Sequence, residues 1–232
     1  MSDSEPPLAR KALKIFSGLS DSYDSVLDYG TLMQDRRWKD WVIKNSLPSG
    51  GSQILDVGCG TCVLESRLSR ECSVVGVDLT EEMIRIGQSK RLESVSSLLL
   101  SDGERLPFRE ASFDIVVSCY VVKYCDTPSF ISEMARVLRP GGRLVLYDFA
   151  RPRGSFWPFN AIYTYGGLRI IGRMLEMKRS RSAYTFSALP EIISSRPWDV
   201  KFGSLLEKFG FVNIVSQLLS GGTAVGFTAI KP

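Results

Sequence analysis

The segment Ile54-Leu55-Asp56-Val57-Gly58-Cys59-Gly60-Thr61 constrains this chain more than any other. An apolar run ends in an acid and is followed by two glycines one residue apart. Such a run predicts a buried strand, a tight turn with bare main chain, and then a helix. A second apolar run, Val74-Val75-Gly76-Val77, closes on Asp78, 17 residues after Thr61. A carboxylate at the end of the second strand of such a unit accepts ribose hydroxyls, so the expected ligand is a nucleoside. The dinucleotide fingerprint Gly-x-Gly-x-x-Gly would need glycine where this chain has Val63, and no Gly-x-x-x-x-Gly-Lys phosphate loop occurs. A nucleoside site without a phosphate cradle points to S-adenosylmethionine rather than to a nicotinamide or flavin cofactor.

Strand and helix patterns alternate from about Gln53 to Phe149. Short apolar runs near Gln53–Val57, Ser73–Asp78, Ser97–Ser101, Asp114–Ser118 and Arg143–Phe149 lack polar alternation, as suits strands buried on both faces. Between them, Thr61 to Arg70 reads as a helix with Leu64 and Leu68 on one face. Thr80 is a good N-cap, with Glu81 and Glu82 favouring the first turn. Thr127-Pro128 starts another helix that turns Phe130, Ile131, Met134, Val137 and Leu138 inward, until Arg139-Pro140-Gly141-Gly142 stops it. The fold class is therefore α/β, a doubly wound parallel sheet, with ligands beyond the carboxyl ends of the strands. Outside this core, Leu13 to Asn45 reads as one or two helices. Gly154 to Trp198 is rich in aromatic residues and reads as a lid over the active face. Phe211–Gln217 and Thr223–Ile230 read as two strands around a turn.

The length of 232 residues suits one sizeable domain, and no run of roughly 18 apolar residues predicts a membrane span. The polar segment Met1 to Arg10 lacks the apolar core of a signal peptide, so the cytoplasm is the expected location. Cys59-x-x-Cys62 sits in the glycine turn. With no histidine in the chain and no second Cys-x-x-Cys, no metal is expected. The same lack of histidine removes the usual general base. The net charge of +4 is mild. The basic cluster Lys178-Arg179-Ser180-Arg181 reads as a solvated face, with contact to an anionic membrane surface as the second reading and no nucleic-acid partner expected.

Several segments resemble one family. Asp56-Val57-Gly58-Cys59-Gly60-Thr61, Leu106-Pro107-Phe108, Ser112-Phe113-Asp114 and Arg136-Val137-Leu138-Arg139-Pro140-Gly141-Gly142 are similar to class I S-adenosylmethionine-dependent methyltransferases. Phe16-Ser17-Gly18-Leu19, Tyr23-Asp24, Arg37-Trp38-Lys39, Ala183-Tyr184, Leu189-Pro190-Glu191, Phe209-Gly210-Phe211 and Ser220-Gly221-Gly222 resemble the menaquinone/ubiquinone C-methyltransferase family. The resemblance covers about residues 12 to 230. It implies a Rossmann-like seven-stranded sheet with an antiparallel C-terminal hairpin in one domain, 1–232, with a helical segment 12–47 and a lid-like insertion 152–200. It also implies S-adenosyl-L-methionine as cofactor and ring-carbon methylation of a demethylated prenyl quinol. By motif position, Thr61, Asp78, Asp102, Gly103 and Cys119 would line the cofactor. Gly58 and Gly60 would admit its methionine part, and Asp56 belongs to the same set. The chain departs from the family pattern at Cys62, where glycine is usual, at Val122-Lys123-Tyr124 in place of Leu-Arg-Asn, and at Phe227 in place of a histidine.

Carbon methylation requires an adjacent hydroxyl to give up its proton, so a base or a phenolate stabiliser is needed. Without histidine, the catalytic candidates are Lys123 as a cation, and Tyr23, Tyr120 and Tyr124 as groups that position the hydroxyl or a water. Asp28 reads as a helix-surface acid rather than a base. Two other readings compete: methylation at O or N of another small hydrophobic acceptor, and non-catalytic cofactor binding. A homodimer is compatible with the sequence.

Overall fold

The computed structural model describes Phe16 and residues 23–68, 72–154, 156–177 and 183–232. Seven strands form one sheet: β1 (Gln53–Val57), β2 (Ser73–Asp78), β3 (Val95–Leu100), β4 (Phe113–Cys119), β5 (Leu138–Phe149), β6 (Val212–Leu219) and β7 (Ala224–Ile230). Their order is β3-β2-β1-β4-β5-β7-β6. The first five strands run parallel, and β7 lies antiparallel to both β5 and β6. The doubly wound sheet and the C-terminal hairpin are both as expected.

Alternation along each strand divides the interior in two. Leu55, Val57, Val116, Leu144 and Leu146 face one core, with α4 (Thr127–Val137) and α8 (Trp198–Lys208) packed on them. Ile54, Val74, Ile115, Val117, Val145 and Tyr147 face the other, under α2 (Gln34–Ser46) and part of the 152–200 segment. The α4 helix begins because the Asp126 carboxylate accepts the Ser129 N–H at 3.1 Å and Pro128 presets the first turn. It buries Phe130, Ile131, Met134 and Val137 completely, as its periodicity predicted.

Four local expectations change. The helix expected over Thr61–Arg70 is a turn followed by a single 3-10 turn, Glu65–Arg67, with Ser69 and Arg70 outside the described residues. Cys62 takes a left-handed conformation, φ +62°, and Leu68 is already extended, so helical geometry cannot propagate. The third strand starts at Val95, two residues before the expected Ser97, and β5 is paired from Leu138 rather than from Arg143. Thr80 stands at the N-cap of α3 (Glu81–Ser89), but its side chain makes no capping bond. Instead, its hydroxyl and its N–H both serve Asp78.

Two helices cover the sheet before β1: α1 (Tyr23–Gly30) and α2. Trp38 of α2 donates its indole N–H to Ser220 Oγ at 2.8 Å, and Trp41 donates to Gln217 Oε1 at 2.8 Å. The second of these helices is thereby fastened to the β6–β7 hairpin. The 152–200 segment is helical: α5 (Trp157–Ala161), a π turn over Ile162–Gly167, α6 (Leu168–Met177) and α7 (Ala183–Ser195). No described helix is long and apolar enough to cross a membrane. The basic cluster at 178–181 lies outside the described residues.

Candidate active site

The strand order reverses between β1 and β4, and a cleft of about 740 Å3 opens at their carboxyl ends. Gly58, Gly60, Asp78, Asp102, Gly103 and Cys119, expected from sequence, all line it. Gly58 has φ +81°, and a Cβ there would lie 2.1 Å from Val121 Cγ2. The turn therefore needs glycine both for its backbone conformation and for room. Gly58→Ala is expected to destabilise the fold by about 1–3 kcal/mol and to weaken cofactor binding, as read by chemical denaturation and calorimetry.

Asp78 is the charged anchor of the cleft. Its Oδ2 accepts the Gly60 N–H at 2.9 Å, and its Oδ1 accepts the Thr80 N–H at 2.8 Å. The glycine turn and the carboxylate thus hold each other in place. Burial pushes the Asp78 carboxyl above its ordinary value, while these N–H donors pull it back. At the end of β3, Asp102 Oδ1 accepts the Glu104 N–H at 2.9 Å, which fixes the turn that carries Gly103. Met83 adds an apolar surface between them.

Asp56 and Thr61, expected beside the cofactor, sit behind the glycine turn on a smaller cavity of about 340 Å3 shared with Lys39 and Cys119. Thr61 donates its hydroxyl to Asp24 of α1, and Asp24 also pairs with Lys90 at 2.9 Å. Its role is to tie the covering helix to the turn. Asp56 is buried, and burial, reinforced by Glu65, raises its carboxyl well above the ordinary range. Glu65 is fully buried and is pushed up to about 8, chiefly by burial.

An apolar pocket of about 490 Å3 adjoins the cleft. Phe16, Tyr23, Tyr120 and Tyr124 border both, so these rings form the partition. Phe16 meets Tyr124 and Tyr23 edge-on, with ring centres 5.5 and 6.1 Å apart. Leu168 of α6 and Phe186 and Leu189 of α7 close the far side. Burial raises the hydroxyls of Tyr23 and Tyr124 above their ordinary value, so both stay neutral.

Lys123 lines this pocket and is 2% exposed. It lies in the 3-10 turn Val122–Tyr124 just beyond β4. Its Nζ donates to Asp148 Oδ1 at 2.6 Å and to the Tyr120 carbonyl at 2.6 Å, and sits 4.4 Å from the centre of the Tyr124 ring. Two acceptors for three N–H groups leave one N–H without a hydrogen-bond acceptor, beside the Tyr124 ring. Burial pulls the ammonium below its ordinary value, and Asp148 opposes that pull. Asp148, the buried partner of Lys123, is the site residue that the sequence reading did not name. It ends the apolar run of β5 as Asp56 and Asp78 end theirs, so the same signature could have found it. Tyr120 is held from below: its hydroxyl donates to Asp35 Oδ1 at 2.8 Å, and Asp35 also accepts from Tyr147 at 3.0 Å and from Lys39. Asp28 pairs with Arg36 at 2.7 Å and borders none of these cavities, in keeping with a surface acid.

A model of the ubiE/COQ5 methyltransferase family matches residues 8–231 of the chain. Among curated proteins, the "Ubiquinone/menaquinone biosynthesis C-methyltransferase UbiE" of Geotalea uraniireducens is 28% identical, over 95% of this chain and 96% of that protein. The "Demethylmenaquinone methyltransferase" of Tropheryma whipplei is 29% identical, over 94% of this chain and 90% of that protein. Among solved structures, phosphoethanolamine N-methyltransferase 2 of Haemonchus contortus in complex with S-adenosyl-L-methionine superposes with a TM-score of 0.60 at 17% identity. That likeness covers 84% of this chain and 52% of the other, and concerns the fold alone.

Proposed function

Since this chain belongs to the ubiE/COQ5 methyltransferase family, we propose that it methylates a ring carbon of a demethylmenaquinol-like prenyl quinol. The observation that carries this reading is the pairing of two cavities: a nucleoside-type cleft around Asp78 and an apolar pocket that shares its aromatic wall. S-Adenosylmethionine, the cofactor of such an enzyme, supplies a sulfonium methyl that needs no further activation. The residues of the cleft fit it: a carboxylate fixed by two main-chain N–H groups for the ribose hydroxyls, and bare main chain at Gly58 and Gly60.

The rest falls to the side chains of the pocket. Tyr23, Tyr124 and Phe16 position the acceptor ring and exclude water. Such alignment can supply roughly 7–11 kcal/mol of the barrier. The free N–H of Lys123 stabilises the phenolate that forms when the ring hydroxyl loses its proton. On this reading the 152–200 segment is a lid within one domain. Its inner residues Leu168, Phe186 and Leu189 receive the prenyl chain. Its outer face exposes Phe156, Trp157, Phe159, Ile162, Ile170 and Met174 beside Arg169 and Arg173, which suits shallow seating on an anionic membrane surface from the cytoplasmic side.

The test is to incubate the purified chain with methyl-labelled S-adenosylmethionine and lipid vesicles containing reduced demethylmenaquinone. Label on a ring carbon of the quinone is the expected result. Label on oxygen or nitrogen, or on polar metabolites of a cell extract alone, would replace the quinol with another acceptor. Cofactor binding with no label anywhere would make the chain a binding protein.

A further inference from the structure

The glycine turn carries a second cluster on the side away from the cleft. Cys59, Cys62 and Glu65 are all buried, and their two sulfurs and a carboxylate oxygen lie within 4.8 Å of one another. None of the three lines the methyl-transfer cleft or the apolar pocket. Both Glu65 oxygens lack a hydrogen-bond partner, as does Oδ1 of buried Asp56. A buried carboxylate without a donor is costly unless a cation or a proton meets it.

The surroundings make room for the sulfurs. A Cβ on Gly87 of α3 would lie 2.6 Å from Cys62 Sγ, and one on Gly76 of β2 would lie 2.9 Å from Cys59 Sγ. Cys62 itself holds φ +62°, a conformation that glycine adopts freely and cysteine does not. The strain places its thiol beside that of Cys59, and such strain marks functional positions.

We propose that Cys59, Cys62 and Glu65 bind a thiophilic divalent cation of the zinc class, as a closed site behind the cofactor turn. Two soft thiolates and one carboxylate are a donor set that such a cation accepts. In a tetrahedral site with metal–sulfur bonds of about 2.3 Å, donor atoms stand about 3.8 Å apart, so the cluster needs only a small contraction. Asp56 is the candidate for the fourth position. On binding, both thiols and each ligating carboxyl that holds a proton release it to solvent, and no electrons move. Lys39, on the neighbouring cavity, offsets part of the negative charge of the donor set. The proposed set needs no histidine, because its third donor is a glutamate three residues beyond the Cys-x-x-Cys pair.

The whole chain, reduced and desalted without air, is titrated with Co2+ and then with Zn2+. The expected result is one equivalent of cobalt with thiolate charge-transfer absorbance, displaced by zinc. Cys62→Gly suits the local backbone, so it should keep the wild-type circular dichroism while lowering metal affinity by about a hundredfold or more. Glu65→Gln should lower it by about tenfold and retain the charge-transfer bands. A reduced wild-type chain that shows no such bands would overturn the site, and so would bands unchanged in Cys62→Gly. A Cys59–Cys62 disulfide that forms in air, with no cobalt bound after re-reduction, would replace it with a redox pair.

Discussion

Lys123→Ala will lose about 3–5 kcal/mol of stability and, where still folded, will turn over at least about tenfold more slowly while binding cofactor normally. The stability loss follows from what remains. Asp148 is completely buried, and its Oδ1 would keep only the Phe149 N–H at 2.7 Å. An uncompensated carboxylate in that position is far worse than no charge at all. Pairing Lys123→Met with Asp148→Leu should therefore restore much of the stability, since apolar groups can replace a buried ion pair at little cost. Turnover should not recover, because the cation proposed to stabilise the phenolate is still missing. Denaturant titration, cofactor calorimetry and rate measurements on the single and double variants separate the two effects. A double variant with wild-type turnover would reduce the pair to a structural role.

Asp78→Ala will weaken S-adenosylmethionine binding by about 1.5–3 kcal/mol, on the order of ten- to 150-fold, because a charged hydrogen-bond partner of the ribose is lost. The pH dependence carries a sign. The ionised carboxylate is the form that accepts both hydroxyls, and burial has raised the pH at which it gains a proton. Wild-type affinity should therefore fall on mild acidification, before an exposed aspartate would titrate, and the variant should lack this component. In the free protein the same shift acts on stability in the opposite direction. The folded state holds this proton more tightly than the unfolded chain, so the contribution of Asp78 is greatest at low pH and declines as pH rises through the raised value. Calorimetry at neutral and mildly acidic pH checks the first effect. Equal losses in wild type and variant would remove Asp78 from the ribose site.

Much of this was legible in the linear chain because it rests on local pattern. Strands buried on both faces have continuous apolar runs, and acids at their carboxyl ends mark the ligand face. That reasoning located Asp78, Asp102 and the glycines. It failed where a single backbone conformation decides: left-handed Cys62 breaks the helix expected over Thr61–Arg70 and swings Glu65 inward. It also failed where partners lie far apart in sequence. A lysine in a loop has the composition of a solvated residue, and only the β4–β5 pairing brings Asp148 to Lys123. Thr61 and Asp24 meet in the same way, 37 residues apart, so the threonine expected at the cofactor also anchors a helix. The same blindness hid Asp35, whose contacts with Tyr120 and Tyr147 span 85 and 112 residues.

The indole bonds from Trp38 to Ser220 and from Trp41 to Gln217 join segments 182 and 176 residues apart. During synthesis the ribosome releases the cofactor-binding half long before the hairpin that secures its cover. A nascent chain stalled after β5 has the glycine turn and Asp78 but lacks the clasp that keeps α2 seated. Damage to the β6–β7 hairpin would therefore loosen α2 from the sheet, at the opposite end of the molecule's connectivity.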